Sequence, residues 1–169
     1  MNRHITIWLL TALLSVGLFS TVVYAAVENK PIGGQRFTGE VLVNASPEKV
    51  WSVLTNSELL SETLDYQFIS GKKRVQSVGD AARVKVWGDG CTYLLTYVDL
   101  NKELRLSLEP DNGSYICRCR WILTPAGKGT KVQVIEEYTE SGTQSTESLQ
   151  GQVEDWEKTL AELKEKAEG

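Results

Sequence analysis

Hydrophobic and polar positions along the chain follow successive rhythms. A short alternating run from Phe37 to Val43 ends at Asn44 and predicts a strand. Ser46-Pro47-Glu48 then opens a helix. It offers a hydroxyl at the N-cap, proline at the first helical position and an acid near the positive end of the dipole. Val50, Trp51 and Leu54 supply that helix with an apolar face, and Asn56-Ser57 restarts the pattern for a second short helix carrying Leu59 and Leu60. From Tyr66 to Thr139 turn signals arrive at strand spacing. Gly71-Lys72, Gly79-Asp80, Gly88-Asp89-Gly90, Asn101-Lys102, Asp111-Asn112-Gly113 and Gly127-Lys128-Gly129 separate runs rich in Val, Leu, Tyr and Thr. That pattern predicts six further strands joined as hairpins. The last rhythm is helical: Leu149, Val153, Trp156, Leu160, Leu163 and Ala167 form one apolar stripe, with Glu154, Glu157, Lys158, Glu162 and Lys164 on the wet side. A lone amphipathic helix has to bury its stripe, and the concave face of the antiparallel sheet is the surface available.

The N-terminus departs from this patterning. Arg3 and His4 precede an apolar run that starts at Ile5 and meets no charge until Glu28. Val23-Tyr24-Ala25 then offers modest or small residues at the -3 and -1 positions of a cleavage site. Residues 1–25 therefore predict a secretory signal peptide. The alternative is an uncleaved membrane anchor, because the run approaches the roughly 20 residues that span a bilayer. Either way the domain is expected in the periplasm or outside the cell. Residues 26–35, with Pro31, Gly33 and Gly34, read as a linker, which leaves one domain over 36–169.

Charge and composition exclude several functions. The net charge is -4 and no long basic run occurs, which argues against a nucleic-acid partner. His4 is the only histidine and lies in the leader. The mature domain therefore lacks Ser-His and Cys-His nucleophile pairs and the commonest metal ligand. No metal or cofactor is expected.

The stretch `SYICRCRWILTP` alternates cysteine with arginine, and strand parity decides what that means. A primed turn at Asn112-Gly113 pairs Asp111 with Ser114, which sets Leu108 opposite Cys117 and Leu106 opposite Cys119. Leu104, Leu106 and Leu108 point inward, so Tyr115, Cys117, Cys119, Trp121 and Leu123 do too, and Arg118 and Arg120 point outward with Glu137 as a cross-strand partner. The Asn101-Lys102 hairpin places Tyr93, Leu95, Tyr97 and Asp99 inside. The `PAGKGT` hairpin places Val132, Val134, Glu136 and Tyr138 inside. A bulge would flip the residues beyond it. The cysteines thus read as small buried thiols rather than a zinc site, which needs about four ligands. Cys91 lies two strands from Cys117, roughly 10 Å away sideways, beyond disulfide reach. The candidate ligand-binding residues are Tyr93, Tyr97, Tyr115, Cys117, Cys119, Trp121, Glu136 and Trp156. Glu136 and Asp99 are the candidates for acid/base chemistry, because an inward carboxylate must be paired, hydrated or neutralised. Gly151, inside the last helix, suggests a close approach to the sheet or a ligand. Trp87 is expected to point outward beside Lys85 and Arg83.

The order of strand, two short helices, six strands and one long helix resembles the START/polyketide-cyclase (SRPBCC) superfamily, whose helix-grip fold is also seen in birch-pollen-type allergens. The residues that carry the resemblance are `VLVNASPEKVWSVLTNSELL`, the Gly79-Asp80 pair and `VEDWEKTLAELKE`, within a span of about residues 36 to 168. It implies an α+β fold with a seven-stranded curved antiparallel sheet wrapped around the C-terminal helix. Where family members often carry Trp after the second helix, this chain reads `SETLDY`, so no ligand chemistry carries over at Leu64. The functions implied are a binding protein for a lipid or other hydrophobic small molecule, a cyclase-like enzyme in which Tyr93, Tyr97 or Tyr115 polarises a carbonyl, or an accessory protein with a membrane or periplasmic protein partner. The missing histidine and the leader favour the binding protein.

Overall fold

A computed structural model describes residues 24–29, 34–140 and 146–169. The elements in chain order are β1 (Tyr24–Asn29), β2 (Gly34–Val43), α1 (Pro47–Leu54), α2 (Ser57–Thr63), β3 (Gln67–Gly71), β4 (Ala81–Val86), β5 (Asp89–Asp99), β6 (Glu103–Pro110), β7 (Tyr115–Ala126), β8 (Gly129–Glu140) and α3 (Thr146–Glu168). One antiparallel sheet runs β1-β2-β8-β7-β6-β5-β4-β3. The two short helices carry the chain from β2 to the far edge at β3. The meander then walks back until β8 lands against β2, and the core fills the side of the sheet covered by α3.

The seven expected strands are β2 to β8, and β1 is an addition. Its backbone pairs with β2 from Tyr24 opposite Glu40 to Asn29 opposite Gln35. The stretch read as a linker therefore supplies most of β1 and the start of β2. The physical reason is the bare edge of β2, whose unpaired N–H and C=O groups take up a neighbouring strand whatever its composition. The expected signal peptide lies outside the described residues, apart from Tyr24 and Ala25, which open β1.

The helix starts follow local chemistry. Ser46 is extended at the N-cap of α1 but its side chain makes no cap bond, so Pro47 at the first position sets the entry. At α2 the Asn56 side chain accepts hydrogen bonds from the backbone N–H of Glu58 (3.1 Å) and Leu59 (3.3 Å).

The stripe of α3 divides along its length. Leu160, Leu163 and Ala167 are fully buried. They sit where the sheet yields space: a Cβ on Gly39 of β2 would come within 2.8 Å of Leu160 Cδ1. The end of the helix is tied to the end of β2, with Glu168 Oε1 accepting from Asn44 N (2.7 Å) and Lys164 Nζ donating to Leu42 O (3.0 Å). Toward the N-terminal half, Val153 is only partly buried, and the side chain of Leu149 lies outside the described residues. Gly151 does not mark a close approach, because a Cβ there would meet nothing within 4 Å.

Candidate functional site

The β6–β7–β8 register puts the predicted inner row in place. Leu108 faces Cys117 and Leu106 faces Cys119. Cys119 in turn faces Glu136, and Pro125 pairs with Thr130. Tyr93, Tyr115, Cys117 and Trp121 are buried, and Cys119 is partly so. From the opposite side Trp156 of α3 reaches down to the sheet. It stacks on Phe37 with ring centres 5.1 Å apart and meets Trp121 at 5.8 Å. Much of the aromatic set is therefore packed core.

A pocket remains beside Trp156. Its outer part is a cavity of about 120 Å³, bounded by Thr63 at the end of α2, Leu64, Asp65 and Tyr66 after it, Trp87 at the β4–β5 turn, Glu136 and Tyr138 on β8, and Gln152, Asp155, Trp156, Lys158 and Thr159 on α3. A smaller inner cavity of about 20 Å³ lies deeper, between Tyr93, Leu106, Leu108, Cys119 and Trp121. Leu64, Tyr66, Glu136 and Trp156 line both parts. This is the gap left where the N-terminal half of α3 stands away from the sheet.

Glu136 is the polar centre of the pocket. One carboxylate oxygen accepts from Cys117 Sγ (2.8 Å), the other from Trp156 Nε1 (2.7 Å). Burial pushes its pKa above the usual carboxylate range, while these two hydrogen bonds pull it back down. Burial raises the thiols of Cys117 and Cys119 as well, and the nearby Glu136 charge adds to the shift. The cysteines are thus protonated, weakly polar walls rather than nucleophiles. All three cysteines are free thiols. Among the described residues no group of three or more His, Cys, Asp or Glu could hold a metal ion.

Two candidates leave the site. The β5–β6 register shifts between Leu95 and Tyr97, so Val98 instead of Tyr97 faces inward, opposite Leu104. Tyr97 lies on the outer face, 40% exposed, with the Arg105 guanidinium 4.6 Å above its ring. The same flip places Asp99 at a wet strand end, 3.5 Å from Lys102 Nζ. The cause is a β-bulge, which reverses parity for every residue beyond it. Tyr115 stays inside but supports the pocket from behind. Its hydroxyl meets Cys91 Sγ at 3.4 Å, and its ring contacts Tyr138 and Trp87. On the outer face Arg120 pairs with Glu103 (2.7 Å), and Glu137 pairs with Arg36 (2.5 Å) although Arg118 is its register neighbour.

Three aromatic pocket residues fall outside the predicted set. Trp87 does not lie on a strand beside Lys85. It occupies the β4–β5 turn at φ 49°, 77% exposed, at the pocket mouth. Tyr66 is brought in by Asp65, whose φ of 56° turns the chain at the end of α2 so that Tyr66 N bonds to Ser61 O (2.7 Å). Tyr138 follows from strand parity alone, as the inward neighbour of Glu136.

Comparison with known proteins agrees with this fold. The family described as Activator of Hsp90 ATPase homolog 1-like protein matches residues 44–168. No curated protein matches the sequence. Among solved structures, CalU16 from Micromonospora echinospora is similar at a TM-score of 0.60 and 17% identity, over 88% of this chain and 86% of that one. Protein CV1439 from Chromobacterium violaceum is similar at 0.63 and 14% identity, over 79% and 98%. Ara h 8.0201 is similar at 0.60 and 13% identity, over 80% and 98%. At these identities the structures show the shared helix-grip fold.

Proposed function

The chain belongs to the Activator of Hsp90 ATPase homolog 1-like family within the SRPBCC superfamily, and on that footing we propose that it is a binding protein for a small hydrophobic molecule held between the sheet and α3. The observation that carries this reading is the pocket beside Trp156, walled by the rings of Tyr66, Trp87, Tyr138 and Trp156, with the exposed Asp65, Asp155 and Lys158 also on its lining, and open past Trp87. Its volume of about 120 Å³ sets the scale of the ligand. An apolar cavity of about 150 Å³ holds one benzene-sized ring, so one ring or a short branched chain suits this pocket and a diacyl lipid does not. Binding is favoured over catalysis because both oxygens of Glu136 are already engaged as acceptors. They hold Trp156 and Cys117 in place instead of standing ready to take a proton from a substrate. The site of action we propose is the periplasm or cell exterior, and the leader pattern over residues 1–25 supports it.

Native mass spectrometry of protein recovered without detergent tests both parts. A mature mass beginning at Ala26 together with a discrete small adduct is expected. Titration of tryptophan fluorescence with a one-ring apolar probe gives the second readout, since Trp87 and Trp156 line the pocket. If the folded protein binds no such probe, the reading fails.

A further inference from the structure

The outer face of the sheet, turned away from α3, carries a feature that the hydrophobic pocket does not use. A cleft of about 730 Å³ crosses it, several times larger than the pocket beside Trp156. Arg36 on β2, Arg105 on β6, and Arg118 and Arg120 on β7 line it, with Glu109 and Glu137 among them. The chain has a net charge of -4, so a cleft that is positive on balance is a local reversal. Strand register builds it. Arg105 lies directly opposite Arg120, and Arg118 stands two residues along the same strand, about 7 Å from Arg120. Like charges directly opposite each other destabilise a sheet. Glu103 offsets part of that repulsion, since one of its carboxylate oxygens accepts from both Arg105 (2.6 Å) and Arg120 (2.7 Å).

The lining says what such a cleft is suited to hold. Among the described residues the exposed Arg118 has neither an ion-pair nor a hydrogen-bond partner. Glu137, its register neighbour on β8, bonds to Arg36, and Ser107, opposite it on β6, donates to Glu109. Tyr97 adds an aromatic surface. The bulge that expels it from the inner face delivers its ring to this cleft, beneath the Arg105 guanidinium. From Tyr97 on β5 to Arg36 on β2 the cleft crosses four strand intervals, about 19 Å. An extended peptide of about six residues has that length. Arginine forks match separate carboxylates in geometry, while the interspersed glutamates repel a dense anionic surface such as nucleic acid or lipid headgroups.

We propose that this cleft docks an extended acidic segment of a partner protein, whose carboxylates pair with Arg118 and the arginines beside it and whose aromatic or apolar side chains lie against Tyr97 and Ile135. The site goes beyond the small-molecule pocket and does not depend on it, because the sheet lies between the two. One face of the protein can hold a small ligand while the other holds a partner.

Fluorescence anisotropy on the full chain tests this. The probe is a labelled peptide of about eight residues that alternates glutamate with tyrosine, long enough to cross the cleft. Its control carries glutamine in place of glutamate. The acidic peptide is expected to bind saturably at low salt, about tenfold more tightly than the control, and to weaken as salt screens the charges. Arg118→Gln should weaken it about threefold to fivefold with the Tm unchanged, since that side chain has no partner to lose. Lys131→Gln removes the same charge from the same face but outside the cleft, and should leave affinity within about twofold. Equal losses in the two variants would show charge attraction without a site and overturn the proposal. So would equal affinity for the control peptide, or no saturable binding below about 1 mM. Phosphatidylglycerol vesicles that bind through Arg118 while the peptide does not would assign the cleft to a membrane and overturn it too. Arg118→Gln should leave the one-ring apolar probe unaffected, so failure here leaves the hydrophobic pocket standing.

Discussion

The two halves of α3 meet the same sheet in different ways. In the C-terminal half, Leu160, Leu163 and Ala167 have no exposed surface, and Gly39 lets the helix come so close that one methyl group would collide. In the N-terminal half the helix stands off, Gly151 faces open space, and the gap holds the pocket around Glu136 and Trp156. One amphipathic stripe thus serves as an anchor at one end and as a cavity wall at the other. Stability and binding are therefore separable along a single helix. Trp156 is the hinge of the comparison, stacked on Phe37 on the packed side and bonded to Glu136 on the open side.

That separation can be broken by mutation. The largest effect is expected from Leu163→Ala in the packed half. A truncation at such a site costs about 2–5 kcal/mol through lost burial and the cavity left behind, measurable as a fall in the urea midpoint. Gly39→Ala should cost about 1–3 kcal/mol as overpacking. Because Phe37 stands 3.0 Å from the added methyl and stacks on Trp156, probe affinity should fall as well. Gly39 is then a packed-half position whose change reaches the pocket, and unaltered affinity would cut that link.

At the open half the signs reverse. Trp87 and Gly88 form a two-residue hairpin turn with φ of 49° and 100°, a conformation suited to Asn-Gly. Holding a tryptophan there costs about 1–2 kcal/mol, and the ring it presents lies at the pocket mouth. Trp87→Asn should therefore raise the Tm while weakening probe binding about threefold to tenfold. A variant that changed both in the same direction would refute the division. Gly151→Ala should stabilise by about 0.5–1 kcal/mol with unchanged affinity, since helix propensity improves and the methyl meets nothing. The smallest change is one of slope. The pKa of Glu136 is raised above its ordinary 4.5, so the folded state holds this proton more tightly than the unfolded chain. Its stabilising preference is complete below about 4.5 and is lost as pH rises through the folded value. Glu136→Gln removes that proton, so its Tm relative to wild type should improve steadily as pH rises across this window.

Much of the architecture is legible from local pattern. Strand alternation is a period of two residues and the helical stripe a period of three to four, so each element announces itself from near neighbours. Tight turns transmit that parity across hairpins, which is why sequence alone places Cys117, Cys119, Trp121 and Glu136 inside, and Arg118 and Arg120 outside. The failures share a cause. The bulge that expels Tyr97 and Asp99, and the left-handed Asp65 that delivers Tyr66, are single-residue events that leave the hydrophobic pattern intact. Strand β1 escapes pattern reading because an open edge recruits backbone and asks little of side chains. The pocket itself is beyond reach for a further reason. A cavity is the small difference between the distance of α3 from the sheet and the reach of side chains drawn from α2, the β4–β5 turn, β5, β6, β7 and β8, and no stretch of chain carries that difference alone. Patterning determined that a helix would grip a sheet. Only the packed molecule decided where the grip loosens and leaves a pocket beside Trp156.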